Sequence, residues 1–157
     1  MLSKKRKIFV LIISVLIALT LAFIWGNSCL PKAQSAESSS EAQGIIQTVL
    51  DSVFGEDTVY VDEFHIRKLA HFAEFFALGA EFALLIIALN KENYKSYLTL
   101  LPIGLFVGAV DESIQVFSDR GAAVLDVLID FSGYLTAVAV FVIIFALRKS
   151  VKSRKTK

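Results

Sequence analysis

Four apolar runs, at residues 8–25, 69–89, 97–117 and 124–147, leave this chain one class of fold. Each is about 18–24 residues long, and a helix needs roughly 20 apolar residues to cross the hydrocarbon core of a bilayer. With 55% hydrophobic residues and a mean hydropathy of +0.64, the 157-residue chain lies far from the balance of a soluble domain. The expected fold is therefore an all-α membrane protein with four transmembrane helices and the lipid bilayer as its first partner.

Between these runs the sequence divides into a basic N-terminus (1–7), a first membrane helix (8–25), a connecting segment (26–68), a three-helix core (69–147) and a basic tail (148–157). Pro31 to Gly44 is rich in Ser, Ala, Gln and Glu without apolar periodicity, which predicts a solvated linker. Ile45 to Phe54 carries apolar residues at helical spacing and predicts a short amphipathic helix on the membrane or bundle edge. Val59-Tyr60-Val61 is too short to define a strand, and Pro102 is expected to kink the third span. Gly104 and Gly108 have the spacing that lets membrane helices approach closely. The basic start followed by an apolar run also describes a signal peptide, and Gly26-Asn27-Ser28-Cys29 raises a lipoprotein cleavage site. Gly26 stands where that site needs a leucine-like residue, so an uncleaved anchor is expected.

Charge sets the expected orientation. The two termini and the 90–96 turn hold twelve of the sixteen Lys and Arg, leaving only Lys32, Arg67, Lys68 and Arg120 elsewhere. By the positive-inside rule both termini are cytoplasmic, and the 26–68 segment, with its amphipathic helix, and the 118–123 turn are extracytoplasmic. The expected location is the bacterial cytoplasmic membrane, crossed several times. No folded basic face is present in this pattern, so nucleic acid is set aside as a partner. A single cysteine, Cys29, excludes an internal disulfide framework and leaves histidine and carboxylates as the metal ligands available.

Polar residues inside the spans carry the functional signal. Arg67 and His71 stand at i, i+4 and His71 and Glu74 at i, i+3, so one helical face holds all three. Asp111 and Gln115 share another face, as do Asp126, Asp130 and Gly133 on a third helix. Counting from the expected outer helix ends, Glu74 falls roughly 8 Å deep and Asp111 and Asp130 about 9 Å deep. A charge at such depth costs on the order of 2.5 kcal/mol or more, so these groups must face one another or water. Several carboxylates in one cavity cannot all ionise freely: one stays protonated, or Arg67, Arg120 and His71 neutralise them, or a divalent cation does. Glu81, near the midplane, has no polar companion on its own helix face except Glu74.

At these residues the chain resembles the VanZ-like family of bacterial membrane proteins. The pattern is carried by Arg67, Lys68, His71, Phe72, Glu74, Leu78 and Gly79, then by Asp111, Glu112, Gln115, Phe117, Arg120, Asp126, Asp130 and Gly133, over roughly residues 65 to 135. Phe75 stands where the pattern commonly has a hydroxylated aromatic. The resemblance implies a role in the cell envelope connected with teicoplanin-type glycopeptide antibiotics, and a cell-wall precursor or lipoglycopeptide as partner. It supplies no chemistry.

Two function classes remain open at this stage. In the first, an outward-open acidic pocket binds or modifies a cell-surface component. As an enzyme it would use His71 or Glu74 as general base, with Asp111, Asp126 and Asp130 binding a divalent cation or orienting substrate. As a binder it would hold a polar head group through Arg67, Arg120 and Gln115, with Lys68 and Glu112 from the family pattern beside them. In the second class the protein is structural, and its buried polar groups only fix helix register. Transport is disfavoured, because the inner halves offer little polar relay beyond Thr99 and Thr136.

Overall fold

The computed structural model describes residues 2–56, 58–118 and 123–155, and among these it is helical with no strand. Four helices long and apolar enough to cross a membrane are present: α1 (Lys4–Ser28), α3 (Glu63–Ala88), the pair α4 (Tyr94–Leu98) and α5 (Leu101–Phe117), and α6 (Val124–Lys155). They alternate in direction. The end of the bundle that holds the C-termini of α1 and α5 therefore also holds the N-termini of α3 and α6. α3 lies between α1 and α6, and α5 closes the ring by touching both. Large apolar side chains such as Leu11, Leu19, Phe23 and Phe106 point outward, as a lipid-facing surface requires.

Local signals explain the helix boundaries. Asp62 caps α3 by accepting the His65 N–H at 2.9 Å. That bond holds the Asp62 carboxyl below its ordinary pKa, so the cap persists at neutral pH and is lost in acid. α3 ends where Asn90 adopts φ 59°, with the Lys91 N–H returning to the Ile86 carbonyl and the Asn90 N–H to Ile87. The expected kink at Pro102 is a break: the ring cannot donate to the Leu98 carbonyl, so α4 stops at Leu98 and α5 begins at Leu101.

The 31–44 expectation is corrected. α2 (Lys32–Phe54) is one continuous helix through the segment predicted to be a solvated linker and on through the short amphipathic stretch. Ala, Gln and Glu favour helix, and the Ser38, Ser39 and Thr48 hydroxyls turn back onto carbonyls of the preceding turn. No residue of α2 is buried, which is why its first half shows no apolar stripe. α2 packs against α3, and the Gln43 and Gln47 amides donate to the Val61 and Val59 carbonyls at 3.0 and 2.8 Å. The 59–61 segment is thus an extended strap tied to α2.

Small residues set the helix spacing. A Cβ at Gly133 on α6 would stand 2.2 Å from the Phe72 carbonyl oxygen of α3, and one at Gly79 would stand 2.6 Å from the Tyr134 carbonyl oxygen. At Gly104 of α5 a Cβ would meet the Tyr134 ring at 2.4 Å. Gly108 makes only ordinary contacts, so Gly104 alone of that pair is a close approach. Phe75, Leu78 and Tyr134 fill the centre with no exposure to solvent. Because Phe72 adjoins His71 and Gly133 lies one turn beyond Asp130, the contact at Gly133 also brings those polar side chains together. Gly133→Ala should destabilise the bundle by about 1–3 kcal/mol through overpacking. Gly26→Ala in α1, where a Cβ meets nothing within 4 Å, should leave thermal unfolding in detergent unchanged or raised.

Candidate functional site

The converging helix ends create a polar layer from four helices, one more than the sequence indicated. On α5, Asp111 is completely buried. Its Oδ1 accepts the Ser28 hydroxyl of α1 at 2.6 Å and its Oδ2 accepts the Gln115 amide at 2.9 Å. The same Gln115 amide donates to Glu112 at 3.0 Å, and the other Glu112 oxygen accepts the Ala123 N–H at 3.2 Å, beside the start of α6. This chain of bonds ties α1, α5 and α6 together. Glu112 and Gln115 are consequently buried and occupied within the bundle.

Next to it stands a cluster without such bonds. His71 Nδ1 lies 3.4 Å from Asp130 Oδ1 and 3.9 Å from Asp111 Oδ2. Asp130 is 1% exposed, and neither its two oxygens nor His71 Nδ1 has a hydrogen-bond partner. One donor atom from each of His71, Asp111 and Asp130 lies within 4.8 Å of the other two, the arrangement of residues here best suited to holding a metal ion. An imidazole between two carboxylates can also carry a proton between them.

A cavity of about 160 Å³ adjoins the cluster through His71. Its wall includes Arg67, His71 and Glu74 from α3, Asn27 from α1, and Ser35, Ser38 and Ser39 from α2. Glu74 accepts the Asn27 amide at 3.2 Å. Arg67 makes no ion pair among the described residues and lines the cavity. The cavity is therefore a mixed site, lined by a basic residue, a carboxyl, an imidazole and several neutral donors. It owes one side to α2, the helix that composition suggested would be a linker.

The remaining candidates sit apart. Lys68 and Asp126 form an ion pair at the rim between α3 and α6, and the Lys68 ammonium also lies over the Phe64 ring at 5.2 Å. Each satisfies the other outside the His71 cluster. Arg120 lies outside the described residues. Phe75, where the family pattern commonly has a hydroxyl, is buried apolar core.

With this arrangement in view, one comparison decides the kinship. The chain belongs to the VanZ/LLP1 family. The family's model matches residues 4–145, so it takes in α1 as well as the three helices on which the resemblance was first traced. No curated protein and no solved structure matches. The chain is thus a VanZ/LLP1-family membrane protein, with the apolar helices of a multi-pass architecture.

Three residues of this VanZ/LLP1 protein escaped the sequence reading, all on α1. In the sequence Asn27 and Ser28 read as part of a candidate cleavage site, and Thr20 carries no signal of its own. Thr20 explains Glu81: its hydroxyl donates to Glu81 Oε1 at 2.9 Å, across the α1–α3 interface. The signal was available in the spacing of Thr20 and Asn27, about two turns apart on one side of a helix that meets α3, while Ser28, turned about 100° from Asn27, meets α5. Thr20→Val should destabilise the protein by about 1–3 kcal/mol in thermal unfolding, because it strands a carboxyl in an apolar setting. Adding Glu81→Leu should recover most of that loss, since both partners are then apolar.

Proposed function

We propose that this protein acts at the outer leaflet of the bacterial cytoplasmic membrane, with both termini cytoplasmic, and receives the polar head group of a cell-surface component in the cavity beneath α2. The single observation that carries this reading is the cavity wall itself: Arg67, His71 and Glu74 face a shared space with Asn27 and three α2 serines. A guanidinium with surrounding hydroxyl and amide donors suits a phosphate- or carboxylate-bearing, hydroxyl-rich head group. The basic residues flanking the spans support an outward-facing cavity, because the helix ends that form it are the ends poor in Lys and Arg. A lipid-linked cell-wall precursor has this chemistry and lies at this depth. Family membership supports a link to glycopeptide susceptibility, with protection against teicoplanin-type compounds as the expected phenotype.

His71 and Glu74 are the groups on this wall able to move a proton, so modification of the bound component would run through them. Lys68 with Asp126 and Glu112 with Gln115 act as positioning pairs that hold the helix ends in place. A purely register-fixing role suits the bonded chain from Ser28 to Ala123. It accounts less well for His71 and Asp130, which face each other at 3.4 Å without hydrogen-bond geometry and leave the second Asp130 oxygen with no hydrogen-bond partner.

Expression in a Gram-positive host tests this reading, with wild type, Glu74→Gln and Asp130→Asn compared at equal membrane abundance. The expected result is teicoplanin protection by wild type, lost in both variants, with a smaller effect on vancomycin. Wild type without protection would sink the resistance reading. Protection retained by both variants would remove the acidic residues from it.

A further inference from the structure

We infer that His71, Asp111 and Asp130 bind one divalent transition-metal ion of the zinc class. Three observations converge on it. The donors are a histidine nitrogen and two carboxylate oxygens, a set that suits zinc and its neighbours. Around an ion with bonds of about 2.1 Å, tetrahedral donors lie about 3.4 Å apart. His71 Nδ1 to Asp130 Oδ1 is 3.4 Å and His71 Nδ1 to Asp111 Oδ2 is 3.9 Å, and all three donors lie within 4.8 Å of one another, so closing on one ion requires the side chains to move together.

The second observation is that these buried atoms lack hydrogen bonds. Asp130 is 1% exposed; its Oδ1 and His71 Nδ1 meet only as an ion-pair contact at 3.4 Å without hydrogen-bond geometry, and its Oδ2 has no hydrogen-bond partner, although all three atoms are buried. Groups of this kind cost stability unless something binds them. A dication with two carboxylates and a neutral imidazole gives a cluster of no net charge, which is what an apolar bundle tolerates.

The third observation is how Asp111 is held. Ser28 donates to one of its oxygens and Gln115 to the other, so the carboxylate is fixed in direction while each oxygen keeps a further lone pair. Fixed orientation of a ligand by an outer ring of hydrogen bonds is how metal sites are generally built. Three protein ligands leave a coordination position open, and His71 connects the cluster to the cavity wall. The ion's presence does not depend on what the cavity receives.

The test uses full-length, tag-free protein in detergent, stripped with chelator and titrated with Zn²⁺, Mn²⁺ or Mg²⁺, with bound metal counted by mass spectrometry. The expected result is one Zn²⁺ per chain, bound more tightly than Mn²⁺ and much more tightly than Mg²⁺. Asp130→Asn and His71→Gln should lose it. The chain has two histidines and one cysteine, so His65→Gln and Cys29→Ser serve as controls and should keep full stoichiometry. No stoichiometric ion in wild type would overturn the inference, as would zinc retained by the two ligand variants. If those variants do not yield monodisperse protein, Co²⁺ bound to wild type decides: a ligand-field spectrum erased by Zn²⁺ supports the site, and its absence overturns it. No antibiotic or envelope component enters this experiment, so its failure is separate from failure of the head-group reading.

Discussion

The hydrogen bond from Ser28 to Asp111 is the contact on which the rest of this structure depends. A carboxylate inside a bundle of apolar helices has no water to satisfy it, so other protein groups must. Ser28 supplies that partner from α1, and Gln115 holds the second oxygen from the same helix as Asp111. Through Gln115 the network continues to Glu112 and then to the backbone at the start of α6. Three helix ends are thereby fixed at one level. His71 and Asp130 are presented against this frame, 3.4 Å apart.

Close helix approach is the second condition. His71 and Asp130 are short side chains on neighbouring helices, and they meet because Gly133 lets α6 rest on the backbone of α3 at Phe72. Gly79 and Gly104 accommodate Tyr134 deeper in the bundle, so the same small residues that shape the apolar core set the spacing of the polar layer. Packing and chemistry are therefore coupled along α6. A change of one methyl group at Gly133 acts on both.

Much of this was legible in the sequence, and the reasons are physical. Apolar run length identified the four spans, and helical spacing put Arg67, His71 and Glu74, then Asp111 and Gln115, then Asp126 and Asp130 on common faces at a common depth. The cost of isolated charge required those faces to meet. Which pairs form was not legible, because pairing depends on rotation of each helix by a fraction of a turn. Asp126 went to Lys68 rather than to the His71 cluster for that reason. The contribution of α1 was hidden because Asn27 and Ser28 fall at the end of an apolar run, where polar residues ordinarily mark an exit from the membrane. α2 was hidden because a helix that buries no residue shows no periodicity, although it forms one side of the cavity.

The measurement that bears most directly on this account is the energetic coupling between Ser28 and Asp111. Thermal unfolding in one detergent would be compared for wild type, Ser28→Ala, Asp111→Leu and the double variant. A coupling of about 1–3 kcal/mol is expected, with the double variant less destabilised than the sum of the two single changes. Additivity within about 0.5 kcal/mol would mean that α1 is not held by Asp111, and would contradict a polar layer built from four helices.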